Sequence, residues 1–242
     1  MSVADAELRG VLIDLDGTLI DTAPDIAAAA NLMRAEFGLL PLAVERVAAF
    51  VGKGADLLVH RALTDSLDSR LDPVPFAAAR TAFFRHYHAT NGTLARVYDG
   101  VGCALAQLRM AGLRLACVTN KAREFTEPLL ARLGLVRWFD VTVSADEVSA
   151  PKPDPALLFE ACARLDLSPA QVVLIGDSIN DALAAHAAGC RVVLVETGYN
   201  EGEDVNALRS AAGVDAIVPA LPDAARYLVA RVGGDQVSTP AL

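Results

Sequence analysis

The feature that most constrains this chain is a series of short apolar runs, each closing on a polar residue: Gly10–Asp14, Leu113–Thr119, Val141–Ser144, Val172–Asp177 and Val192–Glu196. A weaker run, Asp215–Val218, follows near the end. Helical stretches separate most of them, and strands alternating with helices imply an α/β fold, a parallel sheet with helices on both faces. Gly10–Asp14 is apolar on successive residues, as expected of a strand buried on both sides at the centre of such a sheet. Asp14 then falls at the carboxyl end of that strand, the edge where open α/β sheets bind ligands.

Between Thr22 and about Thr93 the alternation stops. Helices are expected at Asp25–Phe37, Leu42–Phe50, Gly54–Leu63 and Pro75–Thr90, separated by Gly38, Gly52 and Pro73. This is the pattern of an all-helical insert placed directly after the first strand. The chain therefore divides into a core of residues 1–21 and 94–242 and a helical unit of residues 22–93. After Val232 the paired Gly233 and Gly234 and a polar tail are expected to fray.

Four segments at predicted strand ends carry chemistry. Asp14-Leu15-Asp16-Gly17-Thr18-Leu19 sets two carboxylates one residue apart before a glycine that permits a sharp turn. Two such acids make a nucleophile and proton donor, or a metal site; alone, they read equally well as punctuation of a strand end. In Cys117-Val118-Thr119-Asn120-Lys121 a hydroxyl and free N–H groups could hold phosphate oxygens, or serve as turn residues. Three prolines in Ala150-Pro151-Lys152-Pro153-Asp154-Pro155 stiffen the chain around one lysine, which alone would also suit an exposed loop. Ile175-Gly176-Asp177-Ser178-Ile179-Asn180-Asp181 again closes an apolar strand with acids. A parallel sheet would converge all four on one crevice.

In this order, Asp-x-Asp-Gly-Thr, then Thr119-Asn120, then Lys152, then Gly-Asp-Ser-x-x-Asp, the chain resembles the haloacid dehalogenase superfamily over nearly its whole length. The resemblance implies a Rossmann-like core, with the helical insert as a small cap that closes over substrate and excludes water. It implies Asp14 as nucleophile toward phosphorus. Asp16 is implied as the acid that protonates the leaving alcohol and then as base for the hydrolytic water. Mg²⁺ would be held by Asp14, the Asp16 backbone carbonyl and Asp177, with Asp181 in support. Thr119, Asn120 and Lys152 would hold the transferring phosphoryl group, with Gly17 also among the substrate-binding residues.

Within the superfamily the resemblance extends to bacterial phosphoglycolate phosphatases. It is carried by Asp21-Thr22-Ala23-Pro24-Asp25, Val51-Gly52-Lys53-Gly54 and Thr197-Gly198-Tyr199-Asn200. Lys53, flanked by glycines between two predicted helices, is placed to offer a cation to a substrate carboxylate or to stand solvated in a turn. That loop often has a neutral residue in the family.

The rest of the composition narrows the classes. A net charge of -9 and a pI near 4.9 give no basic field for nucleic acid or anionic membrane. The polar, acidic Met1–Arg9 and the lack of an 18-residue uncharged apolar run point to a water-soluble, cytoplasmic protein. Scattered Cys103, Cys117, Cys162 and Cys190 read as core residues, and Trp138 and Phe139 as packing against the sheet. His86 and His88, two apart on a helix, point in different directions. The expected partner is a small phosphorylated metabolite; the pattern does not fix the oligomeric state. Competing expectations are another small-metabolite phosphatase, a sugar-phosphate mutase such as β-phosphoglucomutase, or a phosphonate hydrolase with Lys53 as Schiff base. A dehalogenase is disfavoured because the superfamily's dehalogenases lack the second aspartate, and a binding protein on a degenerate core is the non-enzyme alternative.

Overall fold

The computed structural model describes residues 7–68, 73–210 and 213–234. The tail from residue 235, part of the stretch expected to fray, lies outside them. The core strands are β1 (Gly10–Ile13), β4 (Arg114–Thr119), β5 (Val141–Ser144), β6 (Val172–Gly176), β7 (Arg191–Val195) and β8 (Val214–Val218). They form one parallel sheet in the order β5-β4-β1-β6-β7-β8.

Successive side chains of a strand face opposite sides, and β1 uses both. Val11 and Ile13 enter a cluster with residues of α5 (Val101–Met110) and α9 (Leu221–Gly234), whereas Leu12 enters one with residues of α7 (Ala156–Leu165) and α8 (Ile179–Ala188). This two-sided burial is why β1 is apolar at every position. Ile13 is level with Cys117 and Ile175, and the Asp14 N–H continues the ladder to the Ile175 carbonyl at 2.9 Å. The strand ends bearing Asp14, Thr119 and Asp177 therefore lie side by side. Trp138 and Phe139 pack partly buried against the sheet cluster. Cys117, Cys162 and Cys190 are buried as read from the sequence, whereas Cys103 is exposed on α5.

Four helices fill the insert: α1 (Ala23–Glu36), α2 (Val44–Ala48), α3 (Ala55–Thr64) and α4 (Pro73–Thr90). They surround their own apolar cluster, with Met33, Phe50 and Phe83 among its buried members and Phe125 of α6 (Arg123–Arg132) reaching in from the core. Two boundaries differ from the sequence expectation. Pro73 opens α4 rather than separating it, since a first-turn residue needs no N–H partner. α2 starts after Leu42, whose two backbone groups bond the Asn31 side chain of α1 at 2.8 and 2.9 Å, and ends at Ala48, short of Phe50.

The chain crosses between insert and core twice, on a two-stranded antiparallel ribbon of β2 (Ile20–Asp21) and β3 (Arg96–Val97). Two-residue strands carry no periodicity, so the sequence does not announce them. Beside the ribbon the buried Asp25 carboxylate accepts the N–H groups of Gly92 and Leu94 at 2.5 and 2.6 Å, tying the outgoing connection to the returning one.

Candidate active site

At the carboxyl end of β1, Asp14 is almost completely buried. Its Oδ1 accepts a hydrogen bond from Lys152 Nζ at 2.7 Å, and the same ammonium reaches Asp181 Oδ1 at 2.7 Å and the Val118 carbonyl at 3.1 Å. An ammonium has three donors, so Lys152 is fully used. Asp181 holds Lys152 with one oxygen and accepts from Ser178 Oγ with the other, at 2.7 Å, across the first turn of α8. Asp177 is fixed independently: Thr18 Oγ1 donates to its Oδ1 at 3.2 Å and the Tyr199 N–H to its Oδ2 at 2.9 Å. Gly198 is required here, since a Cβ on it would lie 1.9 Å from Asp177 Oδ2. Gly17, at φ +87°, likewise faces Asp177, with room for no side chain.

Asp16 turns the other way. Thr22 Oγ1 donates to its Oδ1 at 2.7 Å, and Lys121 Nζ lies 3.0 Å from its Oδ2. Lys121 is itself buried and donates to the hydroxyl of Tyr87, on insert helix α4, at 2.7 Å. Core and insert thus meet at the second carboxylate of the Asp-x-Asp pair. The sequence signal for Lys121 was its place directly after Thr119-Asn120; nothing in the sequence marks Tyr87.

Thr119 is buried at the cavity wall, its Oγ1 accepting the Lys121 N–H at 3.1 Å. Asn120 also lines the cavity, and its side chain donates to the carbonyls of Gly52 and Lys152, at 2.9 and 2.8 Å, and accepts the Lys152 N–H at 2.8 Å. It locks the proline-flanked loop and touches the insert. Lys53 does not line the cavity, although Gly52 and Gly54 do. Its ammonium is paired to Glu201 at 2.6 Å, and Glu201 also takes Arg61 at 2.6 Å. Asn180, to which the sequence reading gives no role, is buried at the wall with its Nδ2 in no hydrogen bond among the described residues. His86 and His88 diverge, to Glu36 and Glu124.

The electrostatics are unbalanced. Burial, and then the charge of Asp181, push the Asp14 carboxyl up to about 7 despite the opposing pull of Lys152. Burial and the neighbouring Asp14 and Asp181 hold Asp177 well above the carboxylate range. Burial disfavours the ammonium of Lys152, but Asp14 and Asp181 outweigh it and raise its pKa above that of a free lysine. When ionised, Asp14, Asp16, Asp177 and Asp181 pair among the described residues only with Lys121 and Lys152, so four negative charges less two positive leave two uncompensated. Oxygens of Asp14, Asp177 and Asp181 lie within 4.8 Å of one another. An all-oxygen, electron-rich cluster with a deficit of two positive charges fits a hard divalent cation.

The fold and this carboxylate-lysine crevice define a hydrolase of the haloacid dehalogenase type, and comparison with known proteins agrees. The family model described as haloacid dehalogenase-like hydrolase matches residues 8–189, and the chain belongs to that family. It is 47% identical over 221 residues to a phosphoglycolate phosphatase of Nitrosospira multiformis, covering 91% of this chain and 96% of that one. An N-acetylmuramic acid 6-phosphate phosphatase of Pseudomonas aeruginosa is 40% identical over 198 residues, 81% of this chain and 85% of its own. Among solved structures, a predicted phosphoglycolate phosphatase from Haemophilus somnus superposes with a TM-score of 0.83 at 30% identity, over 93% of this chain and 99% of that one. Among the described residues no helix is long and apolar enough to cross a membrane.

Proposed function

We propose that this chain is a Mg²⁺-dependent phosphatase of small phosphate monoesters, 2-phosphoglycolate foremost, working through an aspartyl-phosphate on Asp14. The observation that carries the reading is the buried Asp14 carboxylate, held by Lys152 at 2.7 Å and facing a cavity roofed by the helical insert. The names of the relatives support the substrate.

The Asp14 carboxylate attacks phosphorus as the ester P–O bond breaks. Lys152 cancels charge on the phosphoryl oxygens and is fixed in place beforehand by Asp181 and the Val118 carbonyl. Asp16 lies on the leaving-group side; it delivers a proton to the departing alkoxide and takes one back from the water that hydrolyses the phospho-enzyme. Thr22 and Lys121 hold its two oxygens and so fix its direction. Mg²⁺, held by Asp14, the Asp16 carbonyl and Asp177 with Asp181 in support, would neutralise the meeting of two anions. Phe83, Ile26 and Leu58 of the insert, with Phe125 of α6, keep bulk water from the site.

Release of inorganic phosphate from a panel of esters, with Mg²⁺ and with chelator, tests this. The panel includes 2-phosphoglycolate, N-acetylmuramic acid 6-phosphate and simple sugar phosphates. The expected result is a Mg²⁺-dependent preference for 2-phosphoglycolate. Preference for the muramic ester would move the substrate to that of the Pseudomonas relative. Isomerised sugar phosphate without phosphate release would contradict the hydrolase reading in favour of a mutase.

A further inference from the structure

Of the cationic side chains at the cavity wall, Lys152 and Lys121 are the two among the described residues. Lys152 has all three donors committed. Lys121, at the cavity wall, commits two, to Asp16 and to the Tyr87 hydroxyl, and its third N–H has no hydrogen-bond partner among the described residues. Lys53, the cation the sequence suggested for a substrate carboxylate, is taken by Glu201 and stands outside the cavity wall. The insert side of the cavity includes Ile26, Val51, Leu58 and Phe83, joined by Phe125 of the core, apolar surface on which a second charge would be stranded.

Position adds to supply. Asp16 must reach the ester oxygen to protonate it, and Lys121 Nζ is 3.0 Å from Asp16 Oδ2. The ammonium therefore stands one hydrogen bond beyond the acid that meets the leaving oxygen. With the ester oxygen at Asp16, an anionic group on the carbon bonded to it would fall within reach of Lys121, whereas one farther along would meet the apolar wall.

We propose that Lys121, oriented by Tyr87, is the specificity-determining cation of the pocket and selects phosphate esters with a carboxylate on the carbon next to the ester oxygen. The inference rests on the phosphatase reading above and names the group that would give it its substrate.

The test compares kcat/KM for 2-phosphoglycolate, its one-methylene-longer homologue 3-phosphooxypropanoate and the uncharged ethyl phosphate, in wild type and in Lys121→Met, with Mg²⁺. For wild type the expected preference for 2-phosphoglycolate over ethyl phosphate is about 100-fold, as a charge-assisted hydrogen bond in a dry site supplies. In Lys121→Met that ratio should collapse to within about 5-fold, the scale of one lost charged contact. Equal proportional loss on both esters would mean that Lys121 acts only through Asp16, and would overturn the proposal. Should the variant not fold, the wild-type series still decides: the longer homologue should fall about 10-fold or more below 2-phosphoglycolate, and parity between them overturns the assignment. Mg²⁺-dependent hydrolysis of all three esters at similar rates would sink this inference while leaving the phosphatase reading intact; no phosphate from any ester would sink both.

Discussion

Lys152 Nζ lies 2.7 Å from Asp14 Oδ1 across 138 residues of sequence, and reaches Asp181 at the same distance. One ammonium thus joins the end of β1 to the first turn of α8 through the proline-flanked loop that carries it. Lys152→Met should lower kcat about 100-fold or more, the scale set by removing one preorganised charge-stabilising donor. It should also destabilise the metal-free protein, because Asp14 and Asp181 lose their shared cation, with much of that loss recovered on adding Mg²⁺. Steady-state kinetics and thermal melts with and without Mg²⁺ check both; an unchanged kcat would contradict the role.

Asp14, raised to about 7, and Asp177, raised well above the usual range, bind protons in the metal-free fold that they release when unfolded. A carboxyl raised on folding stabilises below its unfolded pKa, and that contribution is lost as pH rises through the folded value, here from about 4 to about 7. A divalent cation must displace those protons. The increase in melting temperature on adding Mg²⁺ should therefore be larger at pH 8 than at pH 6, and calorimetry should show proton release on binding at pH 6. A Mg²⁺ effect independent of pH would contradict the carboxylate cluster as its site.

The Tyr199 hydroxyl accepts the N–H groups of Thr22 and Ala23 at 2.8 and 3.0 Å and donates to Asp21 at 2.7 Å, fastening the first crossing into the insert. Tyr199→Phe leaves these partly buried groups without that partner and should cost about 1–3 kcal/mol. Chemical denaturation measures it; a change below about 0.5 kcal/mol would show that the crossing is held by other contacts.

Glu201 pairs with both Lys53 and Arg61 from a core loop, and their charges hold its carboxyl below the usual range although burial opposes this. Glu201→Gln should free the insert at this edge. Faster hydrogen exchange is expected in α3 with β1 and β4 unchanged. Uniform exchange across the chain would mean that the pair does not tie insert to core.

Much of this arrangement was legible in the sequence because parallel strands put polar residues at their carboxyl ends, where apolar runs stop abruptly. Asp14, Thr119 and Asp177 are found that way, and the lost alternation after Thr22 marks the insert. Spacing along the chain cannot register contacts between distant segments. The pairing of Lys53 with Glu201, the use of Asn120 as a clamp and the meeting of Lys121 with Tyr87 all join elements far apart in the chain. The short ribbon of β2 and β3 escapes for a different reason, being too brief to show a period.

The covalent intermediate on Asp14 can be trapped and read directly. Wild-type protein with Mg²⁺ is mixed with 2-phosphoglycolate and acid-quenched during turnover, and its peptides are analysed by mass spectrometry beside those of Asp14→Asn. A phosphoryl mass increase is expected on the peptide at Asp14 in wild type, and the folded Asp14→Asn protein should show neither that increase nor phosphate release. Phosphate release by Asp14→Asn at a rate near wild type, or a phosphoryl group on another residue, would contradict Asp14 as the nucleophile.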